Sequence, residues 1–360
     1  MKCRKFVYMT LLGAVLLGSA LVLPVTADQT LQSDAPGSML IFPIFDIGSG
    51  NSTHIRITDV SNGLAQGTTS VRVHLDYICG GTPSITGLPP TFCDQSNEER
   101  VFTDHRTLDI DVAASVPPCT RGFIVAYAIA NAGTATGRPV TYDSLIGTYH
   151  ISYAAGNPDN PTPGVAQSEA ANAIAIQSAK APSFSGTNPA TILGAADPDG
   201  IHYDLTFGTS STADYVYLPK VLHGNYRAIT ASSSAYLILL TPAVISADDN
   251  TLTTVQVGNW DQLETNFSAG TTSFVCWEKI RLDAIDSHFA APPLPTALGS
   301  FKLTASRNKP ILGAVEELGT VAAYNVTTIR NLYHCPTYTA GAANTATCAV
   351  PATYATEPLP

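Results

Sequence analysis

Beyond the first five positions no cluster of basic residues occurs in this chain, and charge of either sign is sparse, at 13% of 360 residues. With 18 Lys and Arg against 28 Asp and Glu, the net charge of −10 has no positive patch to offset it, which excludes phosphate backbones as partners. No two cysteines stand two residues apart, so the spacing of a zinc knuckle or a thioredoxin-type site is missing. Only two tryptophans are present, Trp260 and Trp277, too few by themselves for a sugar-stacking platform. What the chain does hold is apolar residues, 45% of it, which excludes disorder despite 25 Pro and 27 Gly.

The start reads as a secretory leader. Lys2, Arg4 and Lys5 precede an apolar run from Phe6 to Leu23, and Val25-Thr26-Ala27 supplies small residues for cleavage after Ala27. No cysteine stands at that point to take a lipid, and Pro24 breaks the run before it becomes a membrane anchor. Residues 1–27 are therefore set apart as a signal peptide and 28–35 as a mature amino-terminal tail. Cleavage removes three basic residues and no acidic one, taking the formal charge from −10 to −13.

Of seven cysteines, Cys3 lies in the leader, leaving Cys79, Cys93, Cys119, Cys276, Cys335 and Cys348. An even number in an exported chain implies disulfides. Six cysteines admit fifteen pairings, among which local spacing favours Cys79 with Cys93 and Cys335 with Cys348. Cys119 with Cys276 follows by elimination.

Strand signals dominate the mature chain as short runs rich in Val, Ile, Thr and Tyr, divided by Gly, Pro, Asn and Asp. "SMLIFPIF" (38–45) and "DYVYLPKVL" (214–222) are apolar runs each broken by a proline, which implies an edge or a bulge. One stretch, "GVAQSEAANAIAIQSAKA" (164–181), has helical composition and is flanked by Pro- and Gly-rich segments. The expected class is all-β: two antiparallel, Greek-key or Ig-like sandwiches over 36–160 and 200–335, a Pro-rich and partly helical connector over 161–199, and a tail over 336–360. A weak internal echo supports two related halves, pairing Pro43 with Pro219, Cys79 with Cys276, Pro139 with Pro310 and Gly147 with Gly319.

"GSMLIFPIFD", "THIRITDVS", "HLDYIC" and "FVCWEKIRL" together resemble a loose group of exported bacterial proteins of no assigned function. That resemblance implies an exported β-rich fold and carries over no catalytic residue.

Candidate chemistry is thin. In "TTSVRVHLDYICGG", Val71, Val73, Leu75, Tyr77 and Cys79 share one strand parity, and Arg72, His74 and Asp76 the other. "THIRITDV" repeats the pattern with His54 and Arg56, and two such strands side by side predict a polar sheet face, solvated and laced with ion pairs. "YDSLIG" holds Asp143 and Ser144 but lacks the Gly frame of a serine hydrolase. Asp197, Asp199 and Asp204 around Gly200 are a candidate Ca²⁺ loop and also a good turn, and Ca²⁺ is the one cofactor they suggest. "SADDN" (246–250) reads first as a hairpin tip. Glu278 and Asp283 flank a strand with no separation that spacing can give. Trp277, beside Cys276, is expected to pack on a disulfide. Asn51, Asn266 and Asn325 head glycosylation sequons that matter only in a host that uses them.

These observations predict an exported binding or structural protein of the cell envelope or extracellular space, with an adhesion or matrix-like role and an extracellular protein or glycan as partner. No transmembrane span is expected in the mature chain. The alternative is an extracellular hydrolase or carbohydrate-binding protein acting on polysaccharide, its acids drawn from unrelated loops.

Overall fold

Period-two alternation is realised as strands almost everywhere in the structure, a computed structural model that describes residues 36–48, 50–61, 70–80, 93–103, 105–130, 137–160, 164, 166–180, 184–185, 188–189, 193, 205, 214–215, 218–242, 252–306, 309–321 and 324–334. The expected leader and amino-terminal tail (1–35), the candidate Ca²⁺ residues Asp197, Asp199 and Asp204, the expected hairpin tip at 246–250, Cys335, Cys348 and residues 336–360 lie outside these residues.

The first nine strands are β1 (Met39–Asp46), β2 (Asn51–Asp59), β3 (Ser70–Cys79), β4 (Gln95–Thr103), β5 (Thr107–Asp111), β6 (Arg121–Ile129), β7 (Leu145–Tyr153), β8 (Gln167–Asn172) and β9 (Ile174–Ile176). They form sheet A, in the order β4-β3-β6-β1-β9, and sheet B, in the order β5-β2-β7-β8. Inward residues of both sheets, such as Leu40, Phe42, Ile55, Ile57, Leu75 and Ile151, build one apolar core. A small ribbon, β10 (Phe184–Ser185) with β11 (Asn188–Pro189), lies in the connector.

The second nine are β12 (Val221–Arg227), β13 (Ser233–Leu240), β14 (Thr253–Asp261), β15 (Asn266–Phe274), β16 (Trp277–Arg281), β17 (Leu298–Ala305), β18 (Leu312–Val321), β19 (Tyr324–Asn331) and β20 (Tyr333–His334). They form sheet C, in the order β16-β13-β18-β19, and sheet D, in the order β15-β14-β17-β12-β20. Adding eleven to each strand number of sheets A and B gives the strand order of sheets D and C. A single helical turn also follows β5 in one half and β16 in the other, at Val112–Ser115 and Leu282–Ile285. The halves are thus one topology used twice.

The sequence echo pointed to this duplication but misplaced its residues. Cys79 ends β3 while Cys276 precedes β16, the counterpart of β5, so these cysteines are not equivalent.

The stretch expected to be partly helical is extended instead. In β8, Gln167 and Glu169 are buried while Ser168 and Ala170 are exposed, a period-two pattern hidden because its inward members are polar. Pairing of β8 with β7 and of β9 with β1 overrides the helical preference of an Ala-rich segment that also holds Gln167, Glu169 and Gln177. The first sandwich therefore runs to Ile176, past the boundary expected at 160.

Pro43 sits at a register shift in β1 between Phe42 and Phe45, the bulge its missing N–H requires. Beyond Ile41 the short β9 no longer pairs with β1.

The two sandwiches share a core. Sheet C is buried on both faces: Leu237, Leu239 and Val315 face sheet D, whereas Ile238, Leu240, Trp277, Leu312, Ala314 and Ile329 join the core of the first sandwich. This double burial explains why "AYLILL" in β13 is continuously apolar rather than alternating. Connector residues Leu193, Leu205, Tyr215 and Leu218 join the same core.

Two disulfides lie among the described residues, and both differ from the local pairing expected. Cys79 bonds Cys119, with Cα atoms 5.8 Å apart, and Cys93 bonds Cys276 across the two sandwiches, with Cα atoms 5.9 Å apart. Cys79 has β4 on one side and β6 on the other, and sequence spacing reveals only the hairpin neighbour. Cys119 leads into β6, which lies beside β3 although 40 residues separate the two cysteines.

Candidate functional site

The structure divides the expected polar patch between two sheets. His54 and Arg56 lie on β2 in sheet B, and Arg72, His74 and Asp76 lie on β3 in sheet A. Each set lies on the face of its sheet turned away from the other sheet, so they occupy opposite sides of the domain and do not converge. Periodicity gave the correct face for each residue, but it holds no information on which strands become neighbours.

On sheet B, Asp109 of β5 gathers both side chains, with His54 Nδ1 at 3.0 Å and Arg56 Nε at 2.9 Å. Hydrogen bonds from Arg56 and then His54 hold the Asp109 carboxyl below its ordinary value. This is an exposed cross-strand charge ladder.

On sheet A, Arg72 pairs with Glu99 of β4 at 3.0 Å, and His74 Nε2 meets Asp76 Oδ1 at 3.1 Å. This face is not the solvated one expected: the side chains of His74 and Asp76 are only 12% and 10% exposed. Val125, Tyr127 and Ile129 of β6 stand opposite these residues, share their face and are themselves buried. The His74 ring stacks on Tyr127 with centroids 5.2 Å apart. Burial alone would lower the His74 pKa; the hydrogen bond and charge of Asp76, with the more distant Glu99, outweigh it and raise it above the ordinary histidine value.

Asp143 and Ser144 serve the fold. Asp143 accepts hydrogen bonds from Ser38 Oγ at 2.6 Å and from the Ser178 backbone at 2.8 Å, and Ser144 is buried. Asn51 of the first sequon donates its side-chain amide to Asp46. Among the described residues no group of three His, Cys, Asp or Glu is arranged to hold a metal ion.

Trp277 lies between the disulfides. It follows Cys276, its ring covers Gly80 next to Cys79, and its indole donates to the Pro43 carbonyl at 2.7 Å. A Cβ on Gly80 would come within 2.2 Å of the ring, so only glycine permits this approach.

The densest chemistry lies at the seam between the sandwiches, where sequence reading saw only strands. Lys279 on β16 and Glu316 on β18 flank β13, opposite Ile238 and Tyr236 respectively, and face the first sandwich. Lys279 Nζ is 2.8 Å from Asp159 Oδ2, in the loop after β7, and 2.5 Å from Glu316 Oε2. Glu316 is fully buried, and the Lys279 side chain is 5% exposed. The three atoms sit at ion-pair distance but off hydrogen-bond alignment. Asn157 Nδ2 donates to Glu316 Oε1 at 3.2 Å, and the Tyr153 hydroxyl donates to the buried Glu169 at 2.8 Å. Arg121 approaches Asp159 at 3.4 Å and bonds the buried Asp46 at 2.6 Å.

Charges order the protons in this cluster. Burial would lower the Lys279 pKa, but Glu316 and Asp159 raise it overall. Burial would raise the Asp159 carboxyl, but Lys279 and Arg121 hold it below its ordinary value. Glu169 is pushed well above the carboxylate range by burial and then by the charge of Glu316. In sequence, the clue available was Glu316, a lone charge between Ala314 and Leu318 of the same strand parity.

Comparison with known proteins adds no family. No family model matches the chain, and no curated protein matches it. A solved structure titled "Crystal Structure of Thermotoga maritima 1070" matches 32% of this chain and 94% of its own, at 9% identity and a TM-score of 0.25, a likeness that carries no argument.

Proposed function

We propose that the chain is an exported binding or structural protein of the cell envelope or extracellular space, a non-catalytic adhesion or matrix element that meets an extracellular protein or glycan. The observation that supports this most is the join between the sandwiches. A disulfide, a shared apolar core and a buried ion cluster tie the two halves into one body. An element that carries load or presents a fixed surface needs such a join, since domains linked only by a chain move independently. Export is supported by the leader composition and by the two disulfides, which persist in an oxidising compartment. No helix among the described residues is long and apolar enough to cross a membrane.

Two measurements test the reading. Fractionation with amino-terminal sequencing is expected to find the chain outside the cytoplasm and beginning at Asp28; a cytoplasmic chain retaining Met1 would overturn export. The purified mature chain, immobilised and probed with a glycan array and a panel of extracellular proteins, is expected to retain a partner saturably without altering it. Turnover of generic glycosidase or esterase substrates that survives purification and is abolished by one carboxylate substitution would replace this reading with the hydrolase.

A further inference from the structure

We propose that Lys279 and Asp159 form a spontaneous isopeptide bond joining the two sandwiches, with Glu316 as the proton carrier. The inference stands on the seam's geometry and is independent of the functional reading above.

The three groups are held before any reaction. Lys279 and Glu316 project from the same face of sheet C, on the two strands that flank β13, and the Tyr236 ring between them lies 4.9 Å from Lys279 Nζ. Asp159 is fixed by its loop: its backbone N–H donates to Asn157 Oδ1 at 2.9 Å, and its carbonyl accepts from the Tyr236 hydroxyl at 3.0 Å. Asn157 also orients Glu316. Nζ lies 2.8 Å from an oxygen of the carboxyl it would attack, one bond from its carbon, with Lys279 on a strand and Asp159 in a hydrogen-bonded loop, so effective concentration replaces a bimolecular encounter.

The chemistry balances without a cofactor. Lys279 begins as an ammonium and Asp159 as a carboxylate. Glu316 Oε2, 2.5 Å from Nζ, takes one proton and frees the nitrogen lone pair. Nζ then bonds Asp159 Cγ to give a tetrahedral centre. One carboxyl oxygen leaves as water, receiving the proton stored on Glu316 and a second from the attacking nitrogen. The products are a secondary amide, with one hydrogen left on nitrogen, and one water; nothing is oxidised or reduced, and Glu316 returns to its first state.

The site also supplies the driving force. In water, hydration of ammonium and carboxylate keeps the pair apart, whereas in this seam the Lys279 side chain is 5% exposed and that of Asp159 22%, so most of that hydration is lost. Amide formation removes both charges at once and releases water. Carboxyl Glu316 against Lys279 gives a nearby base that a simple structural ion pair does not need.

The test is the mass of the mature chain after reduction of its disulfides. The expected mass is the sequence mass less one water, and a proteolytic digest is expected to contain a branched peptide joining the Lys279 and Asp159 segments. A Glu316→Gln chain, which keeps an acceptor for Asn157 but cannot carry the proton, is expected to retain the full mass. A folded wild-type chain at full sequence mass overturns the proposal, whether or not the variant folds. Loss of water traced instead to ring closure between Asp159 and Asn160 overturns it equally. Complete joining in the Glu316→Gln chain would overturn the role assigned to Glu316.

Discussion

Trp277 of the second sandwich donates its indole N–H to the carbonyl of Pro43 in the first, at 2.7 Å. The proline bulge takes this part of β1 out of register with β6, and the tryptophan satisfies the carbonyl there. Trp277→Phe keeps most of the ring contact with Gly80 and removes only the donor. The expected loss is about 1–3 kcal/mol, the range for stranding a buried acceptor, read as a lower urea midpoint with unchanged slope. An unchanged midpoint would show that water replaces the indole at no cost.

The Cys93–Cys276 bridge spans 183 residues of sequence and crosses the seam. Closing a long loop restrains the unfolded chain, so replacing both cysteines by serine is expected to lower stability by about 2–4 kcal/mol. The chain should still fold, because the apolar core shared by sheet C and the first sandwich does not depend on the bridge. Denaturant midpoints with Cys79–Cys119 intact measure this; a loss well below about 1 kcal/mol would mean that core packing alone holds the seam.

Asp109→Ala removes the common partner of His54 and Arg56. All three side chains are substantially exposed, so solvent and salt screen the pairs, and the expected change is within about 1 kcal/mol. Thermal melting at low and at high salt checks this. A larger loss, or one that salt leaves unchanged, would show that the ladder is more than a wet sheet face.

Much of this architecture was legible residue by residue. The parity of β3 divided Val71, Val73, Leu75 and Tyr77 on one face from Arg72, His74 and Asp76 on the other, and the first set is in the core. Two kinds of information were missing. Spatial order was one: nothing in "THIRITDV" or "VRVHLDYIC" says that β2 and β3 belong to different sheets, or that β6 brings Cys119 to Cys79. Coverage was the other: a face reads as wet when it carries charge, yet His74, Asp76, Lys279, Glu169 and Glu316 are charged residues or their partners that tertiary packing buries. The seam was illegible because its apolar and ionic members come from β13, β16, β18 and the loop after β7, far apart in the chain.

His74 should make stability depend on pH in a defined direction. Its folded pKa lies above the unfolded value of 6.5, because Asp76 and Glu99 favour the charged ring more than burial disfavours it, while Arg72 is held by Glu99. The stabilising contribution is therefore fully present below about pH 6.5 and is lost as pH rises through the folded value. The stability gap between wild type and His74→Gln is expected to narrow over that rise. Urea midpoints at a series of pH values measure it, and a constant gap would show that His74 acts by packing on Tyr127 alone.

Glu169 predicts the opposite use of the same linkage, because it is an acid whose pKa is raised. Burial and the neighbouring Glu316 make the folded protein hold a proton that the unfolded chain releases above the ordinary value of 4.5. Stability from this group is greatest below that pH and declines as pH rises beyond it. Glu169→Gln offers the Tyr153 hydroxyl a neutral acceptor and never ionises against Glu316. The variant is expected to match wild type within about 1 kcal/mol at low pH, where both side chains are neutral. Above pH 4.5 it should become the more stable of the two, by a margin that grows with pH. Denaturant midpoints from mildly acidic to mildly alkaline solution decide the matter. A variant that is less stable at neutral pH would mean that the ionised Glu169 carboxylate is needed beside Lys279, and that the proton at the seam resides elsewhere.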